Sequence, residues 1–340
     1  MILKEPVKNI DLEKRIFAAS AENFSALAIE LFQYQYQHNP IYRQYCEALK
    51  IEAGNIDALH KIPFLPISFF KSHEIKTTAY EPEAIFESSG TTKTGRSKHY
   101  IKDLMLYRKS FTACFERFYG PPQSKCIVGL LPDSPERPDS SLVMMAGELI
   151  KQSNHPLSGF YLHDLDKLHR TILHNEIRKF PSLLIGLTYA LLDFAEKYQL
   201  QLRHTIVMET GGMKGQRKEM TRQQVHHILQ QQLGVSLIHS EYGMTELLSQ
   251  AYSKGDGIFH CPAWMKVLLR DEDDPLHIVM AKEENEKPLN GVLNIIDLAN
   301  IYSCSFIATE DTGRLYPNGS FEVLGRMDNS DIRGCSLMMI

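Results

Sequence analysis

The stretch Phe86–His99, FESSGTTKTGRSKH, decides how this chain is read. Ser88, Ser89, Gly90, Thr91 and Thr92 are a run of small residues, ringed by the cations Lys93, Arg96 and Lys98. Nothing bulky holds the backbone away, so N–H groups and hydroxyls can close on a polyphosphate. Two other readings of the loop stand beside this one. Gly90, Gly95, Arg96 and Ser97 nearly spell GxxxxGK[ST], with arginine where that motif has lysine. There a helix starts at the last glycine and points its N-terminus at the phosphates, whereas SKHYI here reads as extended. The other is a structural Ser/Thr/Gly turn with no ligand.

Outward from the loop, EAIFESS reads as a strand entering it and SKHYI as a strand leaving it, with Asp103 placed to cap a helix over LMLYRKSFTACFERFY. Upstream, LEKRIFAASAENFSALAIELFQYQYQHN carries apolar residues at helical spacing, and Pro40 is expected to stop it. KIPFLPISFFKS reads as a loop or edge. Downstream, SKCIVGLLP, SLLIG, HTIVMET and VSLIHSEYG read as strands alternating with helices to about residue 250. That alternation predicts a layered α/β domain with a largely parallel sheet. WMKVLLRD, HIVMA, VLNIIDL and SFEVLGR follow as short strands between polar turns, a smaller and mainly antiparallel β-rich subdomain. The expected organisation is a helical segment over 1–60, an α/β nucleotide-binding core over 61–255, the β-rich subdomain over 256–325, and a hinge-like tail over 326–340 carrying Cys335.

Composition excludes several classes. The 340 residues are 43% hydrophobic and 23% charged, which suits a globular protein with a sizeable core. The net charge of -4, with basic residues scattered, leaves no nucleic-acid footprint. No apolar run is long enough to span a bilayer, and the N-terminus is too charged for a secretory signal. Six cysteines without CxxC spacing favour reduced thiols in a cytoplasm. His260–Cys261 has no second ligand pair at metal-binding spacing.

Two further segments carry chemistry. In residues 239–249, HSEYGMTELLS, Tyr242 offers a flat face for a base beside Gly243, Thr245 a hydroxyl for a phosphate, and Glu246 a hard oxygen ligand for Mg²⁺. All lie on what reads as one strand-to-helix turn, where open α/β sheets tend to place ligands. The bland alternative is an ordinary capped turn. TEDTG over Thr309–Gly313 puts Asp311 in a predicted turn, where it could accept two ribose hydroxyls. It precedes GRMDNSDIRGCSL over Gly325–Leu337.

In order as well as wording, SSGTT, METGGMKG, EYGMTE, TEDTG and GR-x-D resemble the motifs of the adenylate-forming superfamily. RGCSL near the end, with FESSGTT and SEYGMTEL, resembles in particular the acyl-protein synthetases (LuxE type). The resemblance spans most of the chain and weakens before about residue 60. It implies ATP as substrate and Mg²⁺ as cofactor. Ser88 to Thr92 would hold the phosphates, with Lys93, Arg96 and Lys98 as supporting charge. Gly211, Gly212 and Met213 would line the adenine pocket, and Tyr242 would pack on the base. Thr245 would touch the α-phosphate, Glu246 would carry Mg²⁺, Asp311 would hold the ribose, and Arg326 would be the hinge arginine. It implies a fatty acid or other carboxylic acid as substrate, Cys335 as acyl carrier, and an acyl reductase or other acyl-accepting protein as partner. Two departures stand out. The hinge is one residue short, and no PKTxxGK-like segment follows it, so the superfamily's usual C-terminal domain and its lysine are expected to be lacking. The same nucleotide motifs also fit an acyl- or aryl-CoA ligase of the phenylacetate kind, which would not need Cys335. They fit as well a nucleotide-binding partner protein without adenylation activity.

Overall fold

The computed structural model describes residues 10–89, 95–211, 216–218, 220–280 and 287–327. These fall into two compact units. The first takes the described residues within Met1–Ser110, Thr245–Ser249 and Cys261–Phe321; the second takes those within Phe111–Met244, Gln250–His260 and Glu322–Ile340.

The first unit begins with α1 (Ile10–Phe17), α2 (Phe24–His38) and α3 (Pro40–Ala48). Pro40 follows the end of α2 at His38, as expected. It opens α3 at the first helical position, where its missing N–H costs nothing, and the Asn39 side chain caps the helix by accepting from the Tyr42 N–H at 3.0 Å. After β1 (Leu65–Pro66) and α4 (Phe69–Ser72), the hairpin β2 (Ala84–Glu87) and β3 (Lys98–Ile101) pairs antiparallel, with Phe86 opposite His99. Asp103 caps α5 (Leu104–Tyr119) as expected, accepting from the Met105 and Leu106 N–H groups.

The second unit carries β4 (Cys126–Leu130), α6 (Ser141–Ser153), β5 (Gly159–Phe160), α7 (Leu165–Ile177), β6 (Ser182–Gly186), α8 (Thr188–Lys197), β7 (Thr205–Glu209), α9 (Arg222–Leu233), β8 (His239–Tyr242), β9 (Ala251–Ser253) and β10 (Phe259–His260). Strands β8, β7, β6, β4 and β5 lie side by side and parallel, and β9 and β10 extend this sheet antiparallel. The burial pattern explains the arrangement. Every residue of β4 and of β6 is buried, as in strands covered on both faces. Leu168 and Ile172 of α7, Leu191 and Phe194 of α8 and Val225 and Leu229 of α9 join the same core as Val128, Leu184 and Val207. The helix ends are specified locally: Thr221 and Gln224 form a capping box on α9, and Gly234 closes it in a left-handed conformation.

The chain then returns to the first unit with β11 (Met265–Arg270), β12 (Ile278–Val279), β13 (Leu289–Asp297) and β14 (Phe306–Leu315). These four are antiparallel, in the order β12-β11-β13-β14, and β1 adds to β14 in parallel, Leu65 facing Ile307. Phe32, Tyr42 and Phe64 surround Phe306, with ring centroids 6.1–6.3 Å from it. The chain re-enters the second unit along β15 (Phe321–Arg326), next to β10.

Two expectations from sequence are corrected. Residues 239–249 are not a strand-to-helix turn: β8 runs through a turn and a buried segment into β9. A helix is blocked there because the Leu248 and Ser249 N–H groups donate to the Asp297 carboxylate, at 2.8 and 2.9 Å, instead of to carbonyls one turn back. TEDTG is not a turn either but part of β14. Its register explains the misreading: Val292 faces Thr312 and Asn294 faces Ala308, so Thr309–Asp311 stand opposite Leu293 alone. The segment is a β-bulge, whose polar residues imitate turn composition while the strand continues.

Candidate functional site

In the first unit the phosphate-loop hairpin is closed at its base by serines. Ser88 and Ser97 are buried; the Ser88 N–H donates to the Ser97 carbonyl and the Ser97 N–H to the Ser88 hydroxyl, both at 3.0 Å. Ser88 thus has a structural task, and Ser89 above it is exposed. Gly90, Thr91, Thr92 and Lys93 lie outside the described residues. Gly95 adopts φ +90°, a conformation open to glycine but strained for most residues. The loop cations share one carboxylate: Arg96 and Lys98 lie 3.5 and 3.4 Å from Glu87, all three on the solvent side. Such surface pairs are weak and exchange readily for a more highly charged partner.

The same unit holds Thr245 and Glu246. Glu246 is fully buried, and both its carboxylate oxygens are shut off from solvent. Three side chains from distant segments set the backbone of this turn. His99 Nδ1 lies 2.8 Å from the Thr245 carbonyl. Asn300 Nδ2 donates to the Glu246 carbonyl at 2.8 Å. Asp297 accepts from the Leu248 and Ser249 N–H groups and from the Ser249 hydroxyl. Burial pushes the Asp297 carboxyl up, against these donors, which pull it down. Behind the turn, Gln35 Nε2 donates to the carbonyls of Asn300 and Ile301, and Asn39 Nδ2 to that of Ser303. Asp311 is buried in the β14 bulge, its N–H donating to the Thr309 hydroxyl at 3.1 Å. Arg270 Nη2 donates to the Thr309 carbonyl and so steadies the bulge.

The second unit holds Gly211, Tyr242, Gly243 and Arg326; Gly212 and Met213 lie outside the described residues. Arg326 is the last residue of β15. Tyr242 is buried at the end of β8, its ring 5.8 Å from that of Phe259, over which the Arg222 guanidinium sits at 5.2 Å. Gly243 leaves room for the Glu241 carboxylate: a Cβ there would meet Glu241 Oε1 and push that side chain aside.

Two buried carboxyls close this half, and neither is marked by spacing in the sequence. Glu209, at the end of β7, accepts from the Gly211 N–H at 2.6 Å and the Thr188 hydroxyl at 3.3 Å. Arg222 Nε stands 3.4 Å and His226 Nε2 3.6 Å away. Burial alone would raise the Glu209 carboxyl, but the His226 hydrogen bond and the Arg222 charge outweigh it and hold it down at about 2. Glu241 has no such support. Burial first, then the Glu209 charge, pushes it up to about 8, so one proton stays on this pair at neutral pH.

A group whose pKa is raised on folding stabilises the fold fully below its unfolded value, and that contribution is lost as pH rises through the folded value. For Glu241 the window runs from its ordinary 4.5 to about 8. His99 and His239, both pushed down to about 4 by burial, contribute in the opposite sense only up to their ordinary 6.5. Wild-type thermal stability should therefore fall between pH 6.5 and 8. Glu241→Gln should flatten that fall; an unchanged slope by calorimetry would exclude Glu241 as its source.

Comparison with known proteins places the chain. A family model described as "Acyl-protein synthetase, LuxE" matches residues 7–340. The chain belongs to the acyl-protein synthetase (LuxE) family, a family of ligases. A long-chain-fatty-acid–luciferin-component ligase of Aliivibrio fischeri is 23% identical over 352 residues, covering 95% of this chain and 89% of the relative. The protein of the same description from Photorhabdus luminescens is 39% identical over 66 residues, 19% of this chain and 56% of the relative. Among solved structures, O-succinylbenzoate coenzyme A synthetase of Bacillus subtilis, in complex with ATP and magnesium, aligns with a TM-score of 0.49 at 14% identity over 73% of this chain. The alignment spans about half of that enzyme's chain, 52%. A luciferase-like enzyme of the mealworm Zophobas morio aligns with a TM-score of 0.46 at 14% identity, over 74% of this chain and 60% of that one. No helix among the described residues is long and apolar enough to cross a membrane.

Proposed function

We propose that this chain uses ATP to activate a fatty acid, or a related carboxylic acid, as acyl-AMP and then carries the acyl group as a thioester on Cys335. The observation that carries this reading is the joining, within one unit, of the phosphate-loop hairpin to the Thr245–Glu246 turn: His99 of β3 bonds to Thr245 itself. Family membership and the description of the relatives as long-chain fatty acid ligases support the substrate class.

In the first step a carboxylate oxygen attacks the α-phosphorus, the bond to the β-phosphate oxygen breaks, and pyrophosphate leaves. The loop from Ser88 to Thr92, with Lys93, Arg96 and Lys98, receives the β- and γ-phosphates. Thr245 donates to the α-phosphate, and Asp311 accepts from the ribose. Gly211, Gly212, Met213, Tyr242 and Gly243 line the adenine, with Arg326 as the hinge arginine. Preorganised donors aimed at developing charge supply the main acceleration. A hard carboxylate joined to phosphate oxygens is a donor set that suits Mg²⁺, and Glu246 would hold the ion, which neutralises charge on the phosphates when bound. Since both Glu246 oxygens are shielded in this structure, its side chain must turn outward to do so. In the second step the Cys335 thiolate attacks the acyl carbon and AMP leaves. Cys335 lies outside the described residues and is assigned from sequence: Arg333 and Arg326 nearby favour the thiolate. The acyl group then passes to a cysteine of an acyl-accepting protein, such as an acyl reductase. A cytoplasmic setting suits this thiol chemistry, and the five described cysteines are free thiols.

ATP–pyrophosphate exchange tests the reading. Long-chain fatty acids should drive exchange without CoA, and AMP should be the nucleotide product. Exchange that yields acyl product only with CoA would favour a CoA ligase, ADP would favour phosphoryl transfer, and no exchange with any acid would reject the reading.

A further inference from the structure

The pair His99–Asn300 has no role in the steps above, yet it sits at their crossing point. His99 is fully buried on β3, two residues after the serine that closes the phosphate loop. Its Nδ1 faces the Thr245 carbonyl at 2.8 Å, and its Nε2 faces Asn300 Oδ1 at 3.0 Å. The orientation of the Asn300 amide is fixed, because Nδ2 donates to two carbonyls, those of Glu246 at 2.8 Å and Cys304 at 3.0 Å. Turning the amide over would set its oxygen against both. One ring carried on the loop strand therefore reaches both carbonyls of the Thr245–Glu246 pair, directly at Thr245 and through Asn300 at Glu246. The Phe70 ring packs nearly perpendicular to the imidazole, with centroids 6.0 Å apart.

Both ring nitrogens face oxygen acceptors, while a neutral imidazole has one N–H to give. We assign that proton to Nδ1, on the shorter contact, to Thr245. The Asn300 side then holds by packing and by the amide's own bonds to the backbone. The two contacts of His99 are thus unequal, and the one to Thr245 is the one that sets the turn.

We propose that His99 is a positioning residue for activation of the acid: its Nδ1–H holds the Thr245 carbonyl so that the Thr245 hydroxyl and the Glu246 carboxylate keep a fixed register with the phosphate loop. This rests on the roles proposed above for Thr245 and Glu246. A displacement of about 1 Å in such a pair costs on the order of 100-fold in rate with little change in binding.

Amide side chains dissect the ring. An asparagine places its N–H₂ close to where Nδ1 stands, and a glutamine places its own close to Nε2. His99→Asn should keep kcat for exchange within about threefold of wild type, whereas His99→Gln should lower kcat by tenfold or more with KM for MgATP within about threefold. Assays run well below both melting temperatures, measured by circular dichroism. A structural role alone would make both variants lose rate in proportion to lost stability, and that result, or equal rates in the two, overturns the proposal. Amide hydrogen exchange over residues 245–249 gives a readout independent of catalysis. Protection there should drop in His99→Gln and persist in His99→Asn; equal protection overturns the proposal. If wild-type protein shows no pyrophosphate exchange, the adenylation reading falls, and the hydrogen-exchange comparison still decides whether His99 holds the turn.

Discussion

Glu246→Gln is expected to lower ATP–pyrophosphate exchange by on the order of 100-fold or more, the loss seen when a group that stabilises transition-state charge is removed. The substitution keeps volume and shape at a fully buried position, so packing is conserved while the negative charge is lost. An amide oxygen is a poor replacement for a carboxylate toward a hard divalent cation. The turn itself should survive, because its geometry comes from elsewhere: the Glu246 carbonyl rests on Asn300, and the residues that follow rest on Asp297. Thermal denaturation checks this directly. Raising the magnesium concentration should restore part of the lost rate if the metal is what Glu246 holds. Near-wild-type exchange in a well-folded Glu246→Gln protein would remove Glu246 from the mechanism and leave the loop cations to account for charge stabilisation.

Cys335→Ser is expected to separate the two half-reactions completely. Incubated with MgATP and a long-chain fatty acid, the wild-type protein should gain one acyl group by intact mass, released by neutral hydroxylamine as a thioester is. The variant should show no such adduct while retaining pyrophosphate exchange, since acyl-AMP forms before the thiol is needed. The physical reason is nucleophilicity: a thiol ionises far more readily than a serine hydroxyl, which without a base stays protonated at neutral pH. A slow, hydroxylamine-resistant ester on the introduced serine would still agree with acyl transfer at this position. A hydroxylamine-labile adduct persisting in the variant would move the carrier to another cysteine. Of the described ones, Cys46 and Cys304 are buried, and burial pushes the Cys46 thiol up to about 12, which makes both poor candidates.

Much of the fold was legible because its signals are local. Alternating apolar strands and amphipathic helices between Cys126 and Tyr242 imply a parallel sheet, and the caps at Asp103 and Thr221 and the stop at Gly234 lie within a few residues of what they terminate. The failures share one cause. Pro40 opens a helix as well as following the end of α2, and the new helix depends on Asn39 capping α3. Thr309–Asp311 read as a turn because a bulge has turn-like composition, and only the partner strand shows that the ladder continues. The segment after Tyr242 reads as a strand-to-helix turn, yet the Leu248 and Ser249 N–H groups are taken by Asp297, 49 and 48 residues downstream.

The candidate site divides in the same way. The small-residue loop, its cations, and the Tyr242–Glu246 motif announce nucleotide chemistry through residue type and order, which a linear chain displays in full. Glu209 and Glu241 do not, because what matters about them is burial and a shared proton, and both arise only when β7 and β8 pair. His99 and Asn300 are 201 residues apart and sit in unremarkable text. Sequence alone determined the class of chemistry and the elements that bear it, since those follow from side-chain type and short-range periodicity. Which buried polar groups hold the turn in register was decided by tertiary structure, because a hydrogen bond between distant segments has a partner only once the chain has folded to bring it there.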